Sequence, residues 1–163
     1  YICIRNYYIL LIMETNSNHT TAAFINLSSL SQYFIPLGNF IFPIIIWSTK
    51  KESSEYVNQQ GKETINFQLS LFLYTLLLAL IAVPIFLVTL FKTINFEIVM
   101  ENEDLFFENL NFENLSGLII IGIVAVVILG FMKVAEFFLI IYASVQTSKG
   151  ENFKYPLTIP FIK

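Results

Sequence analysis

Between Glu63 and Lys92 lie 28 residues, TINFQLSLFLYTLLLALIAVPIFLVTLF, without a charged side chain. At about 1.5 Å of rise per residue they reach roughly 42 Å as a helix, more than the roughly 30 Å of a bilayer's hydrocarbon core. Lipid offers a backbone no hydrogen-bond partner, so a run this apolar must close its own N–H to C=O ladder. The pattern predicts a transmembrane helix over residues 64–91. A second apolar block, residues 116–147, contains only two charges, Lys133 and Glu136, and predicts another.

The first apolar segment is less regular. No Asp, Glu, Lys or Arg occurs from Thr15 to Thr49, yet Asn26, Ser28, Ser29, Ser31 and Gln32 are interspersed with Ala23, Leu27, Leu30 and Phe34, whose spacing gives one narrow apolar stripe on a helix. Pro36-Leu37-Gly38-Asn39 interrupts that pattern, because proline biases its predecessor away from the α region and glycine permits a turn. Phe40 to Trp47 follows as an apolar stretch broken by Pro43, about 12 Å long at helical rise. Two arrangements fit: one broken span over residues 21–47, or a re-entrant hairpin whose interrupted backbone is covered by protein. Irregular backbone is expected at Pro36 to Asn39 in either case, covered by the two long helices.

The connections carry the charge. Lys50, Lys51 and Lys62 lie in the linker 48–62, and Lys149, Lys154 and Lys163 in the tail 148–163; the loop 93–115 holds Glu97, Glu101, Glu103, Asp104, Glu108 and Glu113 with only Lys92 at its margin. Lysine and arginine set orientation, so linker and tail are expected on the cytoplasmic side of a bacterial cytoplasmic membrane and the acidic loop on the other. That loop includes the short duplication FENLNFENL, which reads as a solvated loop or surface helix. Composition agrees with a membrane protein: 56% hydrophobic, 13% charged, mean hydropathy +0.69, against about 25% charged for a typical soluble domain. The net charge of −3 forms no basic stripe and gives no reason to expect nucleic acid. Residues 1–12 precede the first methionine, Met13, and are expected to be an upstream extension, with the tail of a signal peptide as the alternative. Residues 13–163 are expected to form a single membrane domain.

The inventory for catalysis and metal binding is thin. Cys3 and His19 are single, too few for a zinc site or an internal disulfide. Asp104 is the sole aspartate, so no aspartic dyad can form; HExxH, Walker and GxGxxG motifs do not occur. No enzyme activity, cofactor or metal is expected; the expected partners are the lipid bilayer and other membrane proteins or a second copy. Two polar constellations remain. Glu63, Asn66, Ser70 and Tyr74 share one face of the second apolar helix, where they either bond neighbouring helices or form a polar path or headgroup site. Lys133 and Glu136 sit three apart near the middle of the last block; they are either a paired intramembrane site or charges at the end of a long helix with Lys133 snorkelling outward.

Several motifs occur together in order: Phe34-Ile35-Pro36-Leu37-Gly38-Asn39, Pro43, Ile45-Ile46-Trp47, Lys50-Lys51, Gly61-Lys62-Glu63, Asn66-Phe67-Gln68 and Tyr155-Pro156-Leu157-Thr158-Ile159. Their combination resembles the bacterial membrane domain of unknown function grouped with the Tic-twenty-like proteins of chloroplast import, over residues 22–91 and 117–163. Relatives in that group usually show histidine where this chain has Ser29 and Gln60, and arginine where it has Pro160. The resemblance implies an all-α membrane protein: a small helical bundle with a broken or re-entrant first segment and two long transmembrane helices. By analogy with the plastid proteins it implies a non-catalytic subunit or assembly factor of a membrane complex. A small transporter or channel component using Lys133 and Glu136 is the alternative that the residues themselves leave open.

Overall fold

A computed structural model describes residues 2–93 and 117–163. The acidic loop and its duplication lie outside these residues. Four α-helices and no strand are present among the described residues: α1 (Ile2–Ser28), α2 (Gly38–Lys50), α3 (Glu55–Thr93) and α4 (Gly117–Ser148), with a 3-10 turn, Ser29–Tyr33, between α1 and α2. Residues 2–12 continue into the rest of α1 without a break. Among the described residues two helices, over Glu55–Ile85 and Ile120–Ser148, are long and apolar enough to cross a membrane.

The interruption in the first segment starts earlier than Pro36. Helix α1 tightens into 3-10 geometry at Ser29, and the chain then reverses through Ile35–Gly38. Pro36 presets φ for the second position of this turn, Leu37 adopts φ 62°, and the Gly38 N–H donates to the Ile35 carbonyl at 3.0 Å, the pattern of a type II turn. A side chain at positive φ is strained by about 1–3 kcal/mol, and Gly38 must follow because a Cβ there would lie 2.6 Å from Ser31 Oγ. Cover over the break is partial: Gly38 is buried, whereas Phe34 and Leu37 are exposed. Pro156-Leu157 repeats the device in the tail, with Leu157 at φ 57°.

The described chain divides into two compact units, Tyr1–Phe72 with Val134–Lys163, and Leu73–Lys133. In the first, α1 runs antiparallel to α4: the Ser144 hydroxyl donates to the Ala23 carbonyl at 3.0 Å, Asn26 meets Thr147, and Gln32 meets Glu136. Helix α2 runs antiparallel to α3, through Asn39 with Gln68, Phe40 edge-on to Phe72, and Trp47 with Asn58. The α1–α2 hairpin therefore has both feet at the same end of the unit: His19 stands edge-on to Tyr56 at 5.1 Å, and Trp47 packs on Gly61, where an added Cβ would fall within the indole. In the second unit Ala82 and Ala125 are buried while Leu80, Ile81, Val126 and Phe131 are exposed.

Polarity in the first unit is inverted relative to a water-soluble bundle. Of the apolar stripe, Leu27 of α1 and Phe34 beyond the 3-10 turn face outward while Leu30 packs on the core cluster, and Ala22, Ile25, Asn26 and Ser29 face in. Helix α2 also turns Ile41, Phe42, Ile44 and Ile45 outward. Water would penalise such a surface by roughly 25 cal/mol per Å² of apolar area; hydrocarbon would not.

Candidate functional site

The inward-facing polar residues form a seam where α1, α3, α4 and the tail converge. Asn26 is its centre. Its Oδ1 accepts from the Thr64 hydroxyl at 2.6 Å and the Tyr155 hydroxyl at 2.7 Å, and its Nδ2 donates to Thr147 Oγ1 and the Ala22 carbonyl, both at 3.2 Å. One side chain thus ties three helices and the tail. Tyr155 is the donor in its bond because the amide oxygen can only accept, and burial pushes its phenol above the ordinary tyrosine range. It stacks on Phe67 at 4.0 Å and meets Phe153 edge-on at 5.0 Å, in a cluster completed by Ile140 and Ala143. The Tyr56 hydroxyl closes one end by bonding the carbonyls of Thr147 and Glu151.

A second polar stripe of α3 holds the tail. Asn66 Oδ1 accepts from the backbone N–H groups of Phe161 and Ile162 at 3.1 and 2.8 Å, and its Nδ2 returns a bond to the Ile162 carbonyl at 3.0 Å. Ser70 Oγ accepts from the Ile159 N–H at 2.8 Å and donates to the Asn66 carbonyl at 2.7 Å. A segment of tail without helix or strand pairing needs such partners for its backbone, and two α3 side chains supply them. Of the face picked out in the sequence, Asn66 and Ser70 thus clamp the tail, Glu63 is half-buried, and Tyr74 lies in the second unit.

Glu136 is buried and accepts from Gln32 Nε2 at 2.8 Å, whereas Lys133 is exposed and belongs to the second unit. Other motif residues have packing roles: Asn39 donates to Gln68 Oε1 at 2.8 Å, Trp47 donates to Asn58 Oδ1 at 3.1 Å, and Pro36 with Gly38 makes the turn. Lys62 is half-buried and Pro156 exposed.

The seam contains residues that the sequence reading did not single out, Gln60, Thr64 and Thr147. A signal was present: Gln60, Thr64 and Gln68 recur every four residues, a second polar stripe beside Asn66 and Ser70. Chemically the arrangement cross-links segments. Most of its hydroxyls and amides bond backbone or one another, His19 lies at the foot of the hairpin against Tyr56 and Gly150, and no three of His, Cys, Asp and Glu converge among the described residues.

A family model described as the magnetosome magnetite crystal formation protein family matches residues 17–162. No curated protein and no solved structure matches the chain. The match overturns the resemblance to the Tic-twenty-like group. The physical reason is visible in the motifs that carried it: Pro36-Leu37-Gly38, Gly61 against Trp47, and Tyr155-Pro156-Leu157 encode turns and close approaches that specify this helical packing and carry no import chemistry. Spanning nearly the whole sequence, the match places the protein: the chain belongs to the magnetosome magnetite crystal formation protein family.

Proposed function

We propose that this protein is a non-catalytic integral component of a magnetite-forming membrane compartment, where it supports crystal formation as a structural or assembly subunit among other membrane proteins or copies of itself. The observation that carries this reading is the inverted polarity of the first unit: a hydrogen-bonded seam inside and large apolar side chains outside. Such a bundle is suited to lipid, and Asn26, Asn66, Ser70 and Tyr155 are engaged in holding its segments together. Helices α3 and α4 cross the bilayer in this reading. The α1–α2 hairpin re-enters, because its feet share one end and it has no charge from Thr15 to Thr49. The linker and tail lysines face the cytoplasm, and the loop 93–115 faces the compartment interior.

Deletion of the gene in a magnetite-forming host, with the tagged protein traced in membrane fractions, tests the proposal. The tagged protein should co-fractionate with crystal-bearing membranes, and the deletion should leave vesicles whose crystals are fewer or smaller. Crystals unchanged in number and size, with the protein confined to other membranes, would refute it.

A further inference from the structure

We propose that the α1–α2 hairpin is a single-leaflet wedge, so that the protein favours a lipid surface that is convex on the side where the hairpin's feet lie. The inference needs the protein to be embedded in a membrane, and does not depend on a role in crystal formation.

The depth of the hairpin comes first. Helix α2 has 13 residues, about 20 Å at helical rise, against roughly 30 Å for the hydrocarbon core. Its tip, Ile35–Gly38, lies near Gln68 and Phe72 of α3, and its feet lie near Tyr56 and Asn58. From Gly38 to Trp47, whose indole marks the headgroup zone, α2 has ten residues, about 15 Å or half the core; the hairpin goes in and comes out at one end of the unit, so it displaces lipid from one leaflet only. Two helical rods of about 10 Å diameter add roughly 80 Å² of cross-section each to that leaflet.

The surface chemistry selects hydrocarbon as the occupant. The tip residue Phe34 is 88% exposed, and Ile41, Phe42 and Ile45 on the outer face are exposed too, while the polar residues of the same segments, Asn26 and Ser29, are fully buried. At the foot, Lys51 Nζ lies 5.3 Å from the centre of the Trp47 ring, a pairing suited to the headgroup zone, with Lys50 beside it. Lys149 follows α4 at the same end, near the His19–Gly150 contact. These cations face anionic headgroups and keep the hairpin from sinking further. Helices that insert shallowly through an apolar face bind in a curvature-sensitive way.

The test uses full-length, fluorescently tagged protein in giant vesicles containing anionic lipid, with narrow membrane tubes drawn outward, and reads protein density on the tube relative to the flat membrane. Vesicles with the feet outward should show enrichment of about twofold or more, a free-energy preference on the order of RT. Vesicles with the feet inward should show depletion. A variant with Phe34, Ile41, Phe42 and Ile45 each changed to alanine trims only outward-facing volume and should bring the ratio back toward one. A ratio of one in both orientations overturns the proposal, as it would if another protein or a second copy covered the hairpin's outer face. The trimmed variant sorting as strongly as wild type overturns it as well. Should that variant fail to fold, the two wild-type orientations decide alone.

Discussion

Replacing Asn26 with alanine removes the side chain through which α1, α3, α4 and the tail are joined, and the structure allows the cost to be worked out bond by bond. The Thr64 and Thr147 hydroxyls keep backbone acceptors, the Gln60 carbonyl at 2.9 Å and the Ala143 carbonyl at 2.8 Å, so each loses only an interhelical bond worth about 0.6 kcal/mol in a membrane protein. The Tyr155 hydroxyl is different. It is buried in an aromatic and aliphatic cluster and bonded to Asn26, with the Thr64 hydroxyl also beside it, and a buried donor that loses its acceptor costs about 1–3 kcal/mol. The total is about 2–4 kcal/mol. Unfolding in mixed micelles of rising denaturing-detergent fraction, followed by helical circular dichroism and the fluorescence of Trp47, the sole tryptophan, measures it. Removing the stranded hydroxyl should rescue part of the loss: Tyr155→Phe should stabilise the Asn26→Ala background by about 1 kcal/mol while costing the wild type about 1 kcal/mol, a coupling of about 2 kcal/mol between the two sites. A loss below about 0.5 kcal/mol for Asn26→Ala, or strict additivity with Tyr155→Phe, would refute the assignment of Asn26 as the centre of the seam.

Other parts of the account are open to similar measurement. Asn66→Leu should release the tail, since it removes the acceptor for two backbone N–H groups and the donor to a third backbone group; carboxypeptidase should then trim residues 159–163 at least about tenfold faster, and equal rates would contradict the clamp. Gly61→Ala should cost about 1–3 kcal/mol because its Cβ would enter the Trp47 ring, and a neutral substitution would show that the α2–α3 approach is looser than described. Glu136→Ala, which removes the charged acceptor of the Gln32 amide at a buried site, should destabilise by about 1.5–3 kcal/mol; the exposed Lys133 changed to alanine should cost less than about 1 kcal/mol, and the reverse order would argue for a charge site dominated by the lysine.

The two long helices were legible because uninterrupted apolar length has one stable solution in lipid, and the break was legible because Pro36 and Gly38 have local conformational effects that no context removes. The direction of α2 after the break was not. Residues 15–49 carry no lysine or arginine to bias a side, and a hairpin and a broken span have the same local pattern; only the pairing of Asn39 with Gln68 and of Trp47 with Asn58 distinguishes them. The tail was hidden for a related reason. TIPFIK reads as a lysine-ended extension, and Asn66 and Ser70 read as helix-to-helix bonds, because a sequence shows that a polar side chain needs a partner without showing that the partner is a backbone nearly ninety residues away. Motifs such as Tyr155-Pro156 suggested the wrong family, since turns and close approaches recur wherever similar helices pack.

The re-entrant hairpin with its polar seam facing inward is the central claim, and single-cysteine labelling in sealed, uniformly oriented vesicles tests it most directly. Cys3 is first changed to serine, and cysteines are placed one at a time at Ser17, Phe34 and Ser53. Positions 17 and 53 should react with an impermeant thiol reagent from the same side, and position 34 should react from neither side while a probe attached there before reconstitution is quenched by nitroxide-bearing lipid chains. Reaction of positions 17 and 53 from opposite sides would show that the first segment crosses the membrane and would contradict the account.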